Sequence, residues 1–159
     1  MNINDYLIDQ ADKDWATHLG DWIAPLSSSF TLWLVNRFGD VFIVADDDNS
    51  VHMLDVGAGT LTRVANDRSH FADLLDTADS ANNWLMIPLV DVCRAVGMNL
   101  GPSQCYGFKI PPVLGGKYEV EILSRRTLQS TIHFWRRSTN KRRICRMELR
   151  SRPWFWSEG

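Results

Sequence analysis

The apolar positions of this chain change period twice. Near the start, Ile8, Ala11, Trp15, Leu19 and Trp22 recur at steps of three and four, one face of a helix, and Pro25 ends the pattern. From residue 30 the pattern is that of strands. Phe30-Thr-Leu-Trp-Leu-Val35 is aromatic and branched, Asn36-Arg-Phe-Gly-Asp40 turns the chain, and Val41-Phe-Ile-Val-Ala45 is apolar on both faces, which predicts a strand inside its sheet. Asp46-Asp47-Asp48-Asn49-Ser50 and Gly57-Ala58-Gly59 are the next turns, leading into strands over 51–56 and 60–64. Connections this short join antiparallel neighbours, so the four strands form a meander.

Helical spacing returns after residue 65. Asp67 or Ser69 is placed to cap a helix with Phe71, Leu74, Leu75 and Ala78 on one stripe. A second helix opens near Pro88, carries Leu89, Val92, Cys93 and Val96, and stops at Gly97. Residues 101–116 then hold four glycines and three prolines around Tyr106 and Phe108. Glycine frees the backbone and proline fixes φ and removes a donor, so a long ordered loop is expected, pinned by Tyr106, Phe108 and Leu114 and feeding a strand at 118–121. The fold class that follows is α+β: a mainly antiparallel sheet with helices packed on one face.

Composition bounds this picture. The chain has 159 residues, 45% of them hydrophobic, with seven Trp and seven Phe, enough for the core of one domain. No apolar run approaches the ~20 residues of a membrane span. The start, Met1-Asn-Ile-Asn-Asp5, lacks the basic-then-apolar order of a signal peptide. Cys93, Cys105 and Cys145 make an odd count without Cys-x-x-Cys spacing, which points to a reducing cytoplasm rather than a disulfide framework or a zinc site.

The net charge of −2 hides an asymmetry. Residues 1–121 carry seven Lys and Arg against 17 Asp and Glu, whereas residues 122–159 carry ten against two. The chain therefore divides into an α+β body, 1–121, and a basic aromatic tail, 122–159. An acidic body suits a partner that is basic where it binds nucleic acid. The tail, with Trp135-Arg136-Arg137, Lys141-Arg142-Arg143 and Trp154-Phe155-Trp156, has no sustained period. It offers an alternative function as a nucleic-acid-binding module, since cations neutralise phosphates and indoles stack on bases.

Two short motifs carry a family resemblance: Phe38-Gly39-Asp40 entering the apolar strand at Val41-Phe42, and Gly107-Phe108-Lys109 leading to Leu114-Gly115-Gly116. In this order and spacing the stretch from about residue 26 to 121 resembles the C-terminal domain of type VI secretion immunity proteins, the partners of DNase effectors. The resemblance implies a bacterial protein that binds and neutralises a cognate effector toxin by covering its basic active-site surface, with no catalytic residues and no cofactor. It also implies a final helix and strand less basic than residues 122–159. Read one base out of frame, the tail yields family-like letters, so a frameshifted ending is expected there.

The remaining candidates are weighed residue by residue. Asp46, Asp47 and Asp48 fail the calcium-loop pattern, because Ser50 and Val51 stand where Asn or Asp and Gly are required; a solvated hairpin turn is expected. Gly57-Ala58-Gly59 has Thr62 in place of a third glycine, and no helix follows. Gly101-Pro-Ser103 lacks the second glycine of a nucleophile elbow. His18, His52, His70 and His133 show no ligand spacing, and Cys105 reads as a packed thiol. No metal site is expected. Asp46, Asp47, Asp48, Asp55, Asp73, Asp76 and Asp79 are the candidate contacts for a basic partner. Lys109 is a further candidate, with support of its own loop as the competing role.

Overall fold

The structure is a computed structural model that describes residues 2–10, 15, 19, 29–101 and 104–108, together with the backbone of 123–127. The strands are β1 (Phe30–Val35), β2 (Val41–Ala45), β3 (Val51–Asp55) and β4 (Thr60–Ala65), then β5 (Gln104–Phe108) and β6 (Leu123–Thr127). Between the two groups stand helices α1 (Arg68–Leu75), α2 (Ala78–Leu85) and α3 (Ile87–Ala95). β1 to β4 form an antiparallel meander in chain order, and β5 pairs antiparallel with β6 as a separate ribbon.

Alternation along β2 explains how the sheet is covered. All five of its residues are buried. Val41 and Ile43 enter one apolar cluster with Val35, Leu54, Val56, Leu85, Val90 and Cys93; Phe42 and Val44 enter another with Val51, Ala65 and Phe71. Both faces are therefore packed, and helical residues reach both. The α+β class stands, with helices contributing to two faces where the sequence pattern suggested one. Two irregularities keep the alternation in step. The register shifts between Leu32 and Leu34 in β1, so that Trp33 and Leu34 both join the Phe42 cluster. A second shift opposite Val51 and His52 does the same for Val64 and Ala65 in β4.

Four details depart from the sequence reading. Ile8 is not helical: its N–H donates to the Val35 carbonyl at 2.8 Å and Leu7 bridges Asn36, so this stretch adds to the edge of β1. Trp15 and Leu19 are helical, and residues 11–14, 16–18 and 20–28 lie outside the described residues. Ala78 does not extend α1. Thr77 caps a new helix through a bond from the Ser80 N–H, and Phe71 of α1 stacks on Trp84 of α2 with centroids 4.9 Å apart. On α3, Val90 and Cys93 face the core while Val92 and Val96 are 43% and 58% exposed, so the buried stripe is rotated from the one expected.

The fourth departure is the largest. Gln104–Phe108 is a strand, not a loop, and its partner Leu123–Thr127 begins beyond residue 121. The strand expected at 118–121, along with Leu114, Gly115, Gly116 and Lys109, lies outside the described residues.

Candidate functional site

The β1–β2 turn is built around two buried polar residues, Asn36 and Asp40, 0% and 6% exposed. A five-residue turn leaves backbone donors pointing inward, and a buried donor must be satisfied. Asn36 does this with both ends of its amide. Its Oδ1 accepts from the Phe38 and Asp40 N–H groups at 2.9 and 3.0 Å, while its Nδ2 donates to Asp40 Oδ2 at 2.8 Å and to the Trp84 carbonyl of α2 at 2.9 Å. Gly39 takes the positive φ of 92° that closes the turn. Asp40 completes the link to the next strand by accepting the Val56 N–H at 3.0 Å.

This turn also meets β5. The Arg37 N–H donates to the Tyr6 carbonyl and the Arg37 carbonyl accepts from the Tyr106 N–H, at 3.0 and 2.8 Å. Phe38 stacks on Phe108 and tilts against Tyr106, each with centroids 5.5 Å apart. The Phe38-Gly39-Asp40 motif and the Gly107-Phe108 pair, far apart in the chain, thus share one wall. Between that wall, the end of β3 and the α2–α3 joint lies a cleft of about 440 Å³. Asp40 and Asp55 line it, with Asn82 and Asn83 of α2 and Met86 and Leu89 opposite the aromatic rings. Met86, with φ 53°, is a left-handed residue that ends α2 and starts α3 in one step.

The electrostatics of the cleft are unusual. Burial first, and the charge of Asp55 second, push the Asp40 carboxyl up to about 7; the bonds donated by Asn36 and Val56 work the other way and lose. Asp55 is partly exposed, its Oδ1 held by the Ala58 N–H at 2.7 Å.

The other sequence-nominated acids are not gathered at this cleft. Asp46, Asp47 and Asp48 occupy the β2–β3 turn, at the opposite end of β3 from Asp55. Asp46 accepts from the Thr31 hydroxyl at 3.2 Å, Asp47 from the Asp48 N–H at 2.8 Å, and Asp48 from the Ser50 N–H at 2.9 Å. Asp48 also pairs with Arg63 at 3.3 Å, both side chains half exposed. The bonds from Ser50, ahead of Arg63, hold the Asp48 carboxyl below its ordinary value. Asp73, Asp76 and Asp79 are exposed on and between α1 and α2. The seven acids form separate groups rather than one patch.

Ser50, His52 and Asp48 lie together but do not build a nucleophilic triad. The Ser50 hydroxyl donates to Asp48 and sits 2.9 Å from His52 Nε2, so the serine rather than the histidine is the central member. His70 serves the entry to α1, accepting the Asn66 N–H with its ring at 3.2 Å and donating its own N–H to Asp67. Cys93 and Cys105 are buried, and burial pushes the Cys93 thiol up to about 11, well away from a reactive thiolate. Among the described residues no cluster of His, Cys, Asp or Glu could hold a metal ion, and no helix is long and apolar enough to cross a membrane.

Asn36, Asn82, Asn83 and Met86 were not nominated by sequence. For Asn36 a signal exists: an amide four residues ahead of an aspartate, in a turn between two apolar strands. For the α2 pair no local signal exists, because their place at the cleft depends on how α2 docks.

Among families of known proteins, residues 65–135 match the one described as T6SS immunity protein Tdi1, C-terminal. Nothing among the curated proteins matches. A crystal structure of Atu4351 from Agrobacterium tumefaciens is similar at 16% identity with a TM-score of 0.45, over 76% of this chain. The present chain spans about 62% of that one. The family match begins at residue 65, so the Phe38-Gly39-Asp40 motif precedes it, and it runs past 121 to include β6. From the end of β4 through β6, this chain therefore matches a type VI secretion immunity family, the same kind of family that its sequence motifs resemble.

Proposed function

We propose that this protein binds a cognate type VI secretion effector of the DNase class in the bacterial cytoplasm and neutralises it by covering the effector's basic active-site surface. The observation that carries this reading is the immunity-family match over residues 65–135, which spans α1, α2, α3, β5 and β6. Neutralisation is by occupancy, with no bond made or broken in the partner. Asp47, Asp73, Asp76 and Asp79, exposed on the surface, contribute a negative field that speeds encounter with a basic surface. Asp46 and Asp48 add to that field from within their own turn.

Co-expression with the product of the adjacent effector gene tests the reading. Cells carrying both are expected to grow while cells carrying the effector alone arrest, and the two proteins are expected to co-purify. Arrest in both cases, with no complex, contradicts it. Substituting the tail cations Arg136, Arg137, Lys141, Arg142 and Arg143 with Gln separates the nucleic-acid alternative, which requires them for function. The coding DNA tests the frameshifted ending expected over residues 122–159: a one-base shift that restores family-like residues supports it and the lack of one removes it, while the unshifted chain already matches the family through residue 135.

A further inference from the structure

The cleft beside Asp40 combines acidic and aromatic lining. It is lined by Asp40, a residue 6% exposed, and by a second acid, the partly exposed Asp55. One wall is aromatic, from Phe38, Tyr106 and Phe108. No described Lys, Arg or His lines it. Counting the described residues, two acids face one apolar space with no cation beside them, and water is a poor remedy where one of them is buried. A guanidinium or ammonium group entering the cleft would supply the missing charge. Its stem would lie along the rings, as long basic side chains do on apolar surfaces. The amides of Asn82 and Asn83 at the α2 rim add acceptors for a guanidinium's remaining donors.

The surface next to the cleft continues the theme. Leu89 lines it, and Val92 and Val96 follow along the same side of α3 at helical spacing, 43% and 58% exposed. An anchor pocket bordered by an apolar ridge is the arrangement in which a few residues carry most of an interface's affinity.

We infer that this cleft is the anchor point for the partner: it takes an Arg or Lys side chain from the effector, with apolar residues of the effector lying over Val92 and Val96. The inference rests on the immunity reading and adds to it the surface and the chemistry of contact. It moves the decisive acids from the β2–β3 turn to Asp40 and Asp55.

Titration calorimetry with purified full-length chain and effector tests it through two variants. Asp55→Asn keeps the oxygen that accepts from Ala58 and removes the charge. Asn83→Lys places a cation of the chain's own at the mouth. Each is expected to weaken binding tenfold or more while the thermal melt stays cooperative. Hydrogen exchange on the wild-type complex is expected to protect residues 38–40, 82–89 and 106–108. Wild-type affinity in a folded Asp55→Asn chain, or protection confined to residues 46–50 and 73–79, overturns the cleft while leaving the immunity reading in place. A wild-type chain that binds no effector removes both. Should Asn83→Lys fail to fold, Asp55→Asn and the exchange pattern decide.

Discussion

Two turns of the meander, built from similar residues, behave in opposite ways. The β1–β2 turn holds Asn36 and Asp40 inside the molecule and ties Tyr6, Val56, Trp84 and Tyr106 together through them and the Arg37 backbone. The β2–β3 turn carries three aspartates in water and satisfies them within itself and with Thr31 and Arg63. Count of charge favours the second as a binding feature; environment favours the first. Both turns satisfy their carboxylates with hydrogen bonds, but only the buried one, beside a second carboxylate and out of water, stands to gain from a cation.

The largest effect expected from breaking this contrast is on Asn36. Asn36→Ala strands the Phe38 and Asp40 N–H groups, the Trp84 carbonyl and one oxygen of Asp40. A loss of about 3–5 kcal/mol in denaturant unfolding is expected, and a loss within experimental error contradicts the account of the turn. Asp40 is next, and its signature is a pH slope. Burial and the nearby Asp55 push its carboxyl from the ordinary 3.8 up to about 7 in the folded chain, so the native state binds the proton more tightly. The stability it contributes is full below about 4 and lost as pH rises to about 7, at up to about 1.4 kcal/mol per pH unit. Asp40→Asn places an amide against Asn36 Nδ2 and lowers stability overall, but the wild type is expected to lose ground to it between those two pH values. Parallel melts that keep a constant difference across the range refute the shift.

Gly39→Ala should cost about 1–2 kcal/mol, because φ of 92° lies where a Cβ is strained. At the small end, Asp48→Asn keeps an acceptor for the Ser50 N–H and loses only a half-exposed pair with Arg63. Its melting temperature at neutral pH should be indistinguishable from wild type. A destabilisation there matching that of Asn36→Ala would dissolve the contrast between the turns.

The sequence reading fared according to how local each signal was. The meander was legible because alternation, branched residues and turn residues are written within a few positions of one another, and all four strands stand where they were expected. Helix α2 was not: its sequence, Ala78 to Leu85, holds two asparagines, and it is fixed by Trp84 stacking on Phe71 and by Leu85 in the core rather than by propensity. Strand β5 was hidden by the glycines and prolines around it. Its ladder partner lies beyond residue 121, and no pattern within 104–108 announces a pairing at that distance. The cleft sits between those extremes. Both of its motifs were visible, Phe38-Gly39-Asp40 and Gly107-Phe108, yet their contact depends on β5 being a strand. Asp40 was noted as part of a turn, not as a buried acid, since exposure is a property of the packed molecule.

The most direct test of the central claim is titration of the effector's nuclease activity with purified chain. Neutralisation by occupancy predicts activity that falls in proportion to added chain and vanishes at one equivalent, with the effector recovered intact. Undiminished activity at several equivalents, or inactivation of many effector molecules by one chain, would contradict it.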